Sequence, residues 1–61
     1  MKTIKVIETK HYTLALVQQK DLYYVIRLTK QAEHTSGPMI DARLALNAFD
    51  DFLVELQNTL Q

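Results

Sequence analysis

Apolar and polar positions change period at Pro38. Before it they mostly alternate, in runs from Thr3 to Thr9, Tyr12 to Gln18 and Leu22 to Thr29. Alternation of this kind is the signature of strands with two distinct faces. After Pro38 they recur at helical spacing, at Ala42, Ala45, Leu46, Phe49, Phe52, Leu53, Leu56 and Leu60. At about 100° per residue these side chains fall within about 60° either side of Phe49, a broad amphipathic stripe. The pattern predicts a two-layer α+β domain: an antiparallel β-meander of three to four strands, then one C-terminal amphipathic helix packed on one sheet face.

The boundaries follow from local chemistry. Lys10-His11 breaks the first run from the second, and Gln18 to Asp21 reads as the next hairpin loop. Ser36-Gly37-Pro38 holds the only glycine and the only proline. A short fourth strand around residues 35–40 is expected there, confined by Pro38 to an edge. Asp41 stands where a helix N-cap belongs, with a short acceptor side chain just ahead of the helical period. One domain is expected over residues 1–61, with sheet in 1–40 and helix in 41–60, regular to about Asn58 and fraying over Thr59 to Gln61.

The helix stripe needs an apolar sheet face to cover. Ile4, Val6, Tyr12, Leu14, Leu16, Leu22, Tyr24, Ile26 and Leu28 are assigned to that face. The opposite face then carries Ile7, Ala15, Val17, Tyr23 and Val25 beside Lys5, Thr13, Arg27 and Thr29. It is more apolar than a solvent-facing sheet surface usually is. Ile7, Val17, Tyr23, Val25 and Arg27 are therefore the candidate partner interface. Leu44 and Val54, off the helix stripe, form a secondary candidate.

Size sharpens this reading. Burial in a 7.1 kDa chain supplies on the order of 90 kcal/mol. Ordering 61 residues at about 1.5 kcal/mol each costs about as much. Cysteine is absent, so neither a disulfide nor a thiolate metal site can add to the balance. Tight packing and self-association remain. Lack of cysteine fits a reducing compartment, and no stretch reads as a leader or a membrane span, so a cytoplasmic protein is expected.

Catalytic chemistry is sparse. His11 and His34 fall in turns without a carboxylate at ligand spacing, and Asp50, Asp51 and Glu55 read as a solvated acidic helix face. Ser36 has only His34 near it in sequence, without the acid and oxyanion hole that a nucleophile needs. One glycine cannot build a phosphate-binding loop. No enzyme, metal, cofactor or small-molecule substrate is indicated.

The leading expectation is a small non-catalytic binding module. It would form a homodimer or dock on a larger protein assembly as a regulator or inhibitor. The alternative is single-stranded nucleic-acid binding, with Tyr23 flanked by Lys5, Arg27 and Thr13 as a stacking platform on the outer sheet face. In order of elements alone, strands followed by one helix, the chain resembles small single-strand-binding coactivator-like domains. Net charge is zero, which gives phosphate no general attraction.

Overall fold

A computed structural model describes residues 1–59 of the chain. Strands β1 (Lys2–Glu8), β2 (Tyr12–Gln19), β3 (Leu22–Thr29) and β4 (Glu33–Thr35) precede one helix, α1 (Ala42–Thr59). The strands form a single antiparallel sheet in the order β1-β2-β3-β4. The helix packs across β2 and β3. This is the α+β meander-plus-helix architecture expected from the change of period. Leu60 and Gln61, assigned above to the helix stripe and the fraying end, lie outside the described residues.

Each hairpin turns over two residues led by a lysine. The turns are Lys10-His11, Lys20-Asp21 and Lys30-Gln31, set by bonds from Thr9 N to Tyr12 O (2.8 Å), the pairing of Gln19 with Leu22, and Thr29 N to Ala32 O (2.9 Å). The second loop is thus two residues shorter than expected, because Gln18 and Gln19 continue β2. Threonine hydroxyls pin the outer two turns: Thr9 Oγ1 accepts from the amides of His11 and Tyr12, and Thr29 Oγ1 accepts from that of Ala32. Such side-chain bonds replace glycine as the turn-forming device. Lys20 adopts a φ of 57°, the left-handed region needed at the first central position of a II′ hairpin turn.

The fourth strand is shorter and earlier than residues 35–40. Its ladder ends at Thr35, after which Ser36 takes over: its amide donates to Val25 O, and its Oγ accepts from Val25 N, both at 2.9 Å. Pairing resumes at Met39, whose N and O bond to Tyr23. Gly37 and Pro38 thus oppose Tyr24 alone. Pro38 has no amide to contribute, and the extra residue forms a bulge that absorbs it on the edge strand.

Asp41 caps the helix as expected, its Oδ1 accepting from the Arg43 amide at 2.8 Å. Ala45, Phe49 and Leu56 are buried, with Ala48, Phe52 and Leu53 packed around them. Leu46 is exposed while Ala48 is half-buried, so the buried stripe is rotated toward Ala48 relative to the symmetric one expected. Leu44 and Val54 are exposed, outside the stripe.

The sheet side of the core corrects the sequence reading. Helix-facing residues on β2 are Tyr12, Leu14 and Leu16, as expected. Their direct partners are Lys5 and Ile7 on β1 and Val25, Arg27 and Thr29 on β3, and Gln18, next along the same face, pairs with Tyr23. Residues paired across an antiparallel ladder share a face. Ile7, Tyr23, Val25 and Arg27 therefore lie under the helix, and Val6, Leu22, Tyr24, Ile26 and Leu28 lie on the open face. The cause is parity. A loop with an even number of residues pairs even-numbered with odd-numbered positions, so Leu14 and Leu16 cannot share a face with Tyr24 and Ile26.

Two measurements check this account. Phe49→Ala should lose about 3–5 kcal/mol, as a large-to-small core change does, whereas Asp51→Ala on the exposed helix face should stay within about 0.5 kcal/mol of wild type. Asp41→Ala should lose about 1 kcal/mol and Asp41→Asn much less, since an amide oxygen still accepts from the first turn. Chemical denaturation at fixed protein concentration reads both series.

Candidate functional site: the open sheet face

The open face is built row by row from the register. Glu8, Thr13, Leu28 and Glu33 make one row and Val6, Ala15, Ile26 and Thr35 the next. Thr3, Val17 and Tyr24 form a third, and Gln19 with Leu22 a fourth. Apolar side chains fill the middle of this surface. Val6 is 53% exposed and Leu28 41%, while Ala15, Leu22, Tyr24 and Ile26 are half-buried. Ile4, the extra residue of the β1 bulge, is 42% exposed and stands outside the four rows because it has no ladder partner.

Polar groups stay at the margin. Glu8 and Glu33 occupy the two edge strands of the first row, and no lysine or arginine stands in any of the four rows. An apolar centre within a polar border is the anatomy of a recognition surface.

Of the residues expected to form the interface, only Val17 belongs to this face; its neighbours screen it to 5% exposure. Val25, at 1%, is core, and Ile7 and Tyr23 pack against that core. Arg27 is half-buried on the helix side, its guanidinium carbon 5.9 Å from the centre of the Phe52 ring. Lys5 does the same on the other flank, with Nζ 5.0 Å from the Phe49 ring centre and 3.9 Å from Asp50 Oδ1. Both are cation–π arrangements that let a charged head lie over an aromatic ring while it stays partly solvated. The secondary pair, Leu44 and Val54, is exposed on the helix, but ten residues, about 15 Å, separate them along the axis, so they do not merge into one patch.

The same geometry dismantles the stacking platform. Tyr23, Lys5 and Arg27 lie on the helix side, Thr13 on the open side. The open face presents Tyr24 with two carboxylates and no cation in its rows.

Other chemistry-bearing groups are dispersed or occupied. Among the described residues no three histidine, cysteine, aspartate or glutamate side chains converge on a point. His34 lies near Phe52, with ring centres 6.3 Å apart. The Ser36 hydroxyl accepts from Val25 N and donates to Gly37 O. A wide-mouthed depression of about 240 Å³ lies between the Lys10 and Lys30 turns, lined by Thr9, Lys10, His11, Thr13, Thr29 and Lys30 among others. The Thr9 and Thr29 hydroxyls there hold the turns themselves. Among the described residues no helix is long and apolar enough to cross a membrane.

Comparison of the chain with protein-family profiles, curated proteins and solved structures finds no match.

The face assignment separates two aspartate substitutions. Val25→Asp buries an unpaired charge beneath Phe49 and should unfold the domain. Val6→Asp places the same charge on an exposed edge position and should cost about 1 kcal/mol or less. Far-UV circular dichroism of the two variants at matched low concentration tells them apart; equal loss of structure would reverse the face assignment.

Proposed function

We propose that this chain is a small non-catalytic binding module that self-associates through its open sheet face. The observation that carries the reading is the contiguous apolar surface of Val6, Ala15, Val17, Tyr24, Ile26 and Leu28, on the side of the sheet the helix does not cover. Single exposed aliphatics are ordinary, but contiguous apolar surface of this kind marks interaction sites.

Area supports the same conclusion. Three strands of seven or eight residues and one of three, about 4.8 Å apart, give roughly 400 Å² per copy in projection. Two copies together approach the ~1,000 Å² at which specific interfaces begin.

The edges are poorer routes to association. β1 is interrupted by the bulge between Thr3 and Lys5, and β4 is three residues long and followed by Pro38. Bulges, short edge strands and prolines all discourage strand addition.

Light scattering should show mass rising from 7.1 kDa toward twice that value as concentration increases. The melting temperature should rise in parallel, each tenfold in concentration adding about 1.4 kcal/mol per dimer. A monomeric mass at millimolar concentration, with a concentration-independent melting temperature, would refute self-association.

A further inference from the structure

We infer that the second copy is seated with its two-fold axis running along the strands, between β2 and β3. In that pose the β3 ridge of each subunit lies in the β2 trough of the other. The inference deepens the self-association reading and rests on it.

The relief of the open face selects the pose. Across the open face, strand by strand, side chains alternate in height. β1 presents Val6, which is 53% exposed. β2 presents Ala15, which is small, and Val17, which is nearly covered. β3 rises again with Tyr24 and Ile26. β4 falls to Thr35, its last residue. The order is high, low, high, low.

Face-to-face sheets pack with their strands roughly aligned, within about 30°. A two-fold axis lying between the sheets can satisfy that in two ways. If it runs along the strands, it exchanges β1 with β4 and β2 with β3. Every high strand then meets a low one: Ala15 faces Ile26 of the other copy, Val17 faces Tyr24, and Val6 faces Thr35. If it runs across the strands, each strand meets itself. Ile26 then abuts Tyr24 of the other copy, and Ala15 faces Val17 across a gap. Interiors pack at crystal-like density and tolerate neither voids nor overlap. Only the first arrangement interdigitates.

Charge sets a small cost against it at one end. The first arrangement brings the Lys10 turn of one copy over the Lys30 turn of the other, and in the adjoining row Glu8 on β1 faces Glu33 on the other copy's β4. Both carboxylates are exposed at the border, where water and salt screen them.

The absence of cysteine and the small size make the test direct. Ala15→Leu fills the trough and should raise the dimer dissociation constant about a hundredfold, tenfold for each of the two symmetric contacts. Ile26→Ala lowers the ridge and should weaken the dimer about tenfold or more. Mixed together, the two variants should form a heterodimer in preference to either homodimer. In it the enlarged trough meets the lowered ridge, and the second contact is wild type. Native mass spectrometry with one variant ¹⁵N-labelled reads the populations, and circular dichroism of each variant alone confirms folding. Ala15→Val replaces Ala15→Leu in the mixing experiment if the latter does not fold. A wild-type dimer whose variants mix without heterodimer preference would overturn the ridge-in-trough pose while leaving self-association intact. A wild-type monomer would overturn both.

Discussion

The register of the β2–β3 hairpin governs everything above it. Gln19 pairs with Leu22 across Lys20-Asp21, and the ladder that follows sets Leu16 beside Val25 and Leu14 beside Arg27. Leu14, Leu16 and Val25 are the fully buried sheet residues against which Phe49 closes. A slip of one residue would turn β3 over, because side chains alternate with a period of two. Val25 would then face water and Ile26 the helix. The left-handed conformation of Lys20 is the local cost of that register, for a residue with a Cβ is disfavoured there relative to glycine. It is tolerated because the hairpin and the helix above it hold the turn in place.

With one helix over a four-stranded sheet, the core cannot extend to both edges. The flanks are closed by long amphipathic side chains instead. Lys5 on the β1 side and Arg27 on the β3 side each lay a cation over a phenylalanine of α1. The aliphatic stems cover apolar surface, and the heads stay partly in water, so little desolvation opposes the arrangement. The Lys5–Asp50 pair at 3.9 Å is solvent-exposed, and such pairs contribute little to stability. Its value is positional, since it keeps the lysine stem over Phe49.

Much of this is legible in the chain. The change of period locates sheet and helix. Asp41 announces its cap because few other roles suit an acceptor just ahead of a helical stripe. Phe49 is central because it sits mid-stripe. The phase of β1 and β3 is harder to read, since both faces of those strands are apolar. Leu22, Tyr24, Ile26 and Leu28 make a better hydrophobic row than Tyr23, Val25, Arg27 and Thr29, and hydrophobicity alone selects the wrong one. The information lay in loop length. Even the four-residue loop expected between β2 and β3 has the parity that pairs Leu16 with an odd-numbered residue of β3. The bulges are less accessible. Pro38 marks one, by lacking an amide that the ladder would use, whereas nothing in the run around Thr3 and Lys5 marks the other. The open face therefore keeps Thr13, Ala15 and Val17 of the outer face expected from the sequence, and takes its β1 and β3 residues from the set assigned to the helix side.

The corrected assignment makes the two sheet faces alike in plan. Under the helix, Leu14, Leu16 and Val25 form an apolar centre, with Lys5, Arg27 and His34 toward the edge strands. On the open side, Val6, Ala15, Val17, Tyr24 and Ile26 form the centre, with Glu8, Thr13, Glu33 and Gln19 at the ends and corners. A sheet face meant for water has no need of such a plan, because alternation would simply place polar residues outward along every strand. Rows that are apolar in the middle and polar at the border favour an occupant that excludes water from the centre and leaves the border wet. On one side that occupant is α1. On the other side the proposed second copy would be that occupant, its low strands receiving the high strands opposite.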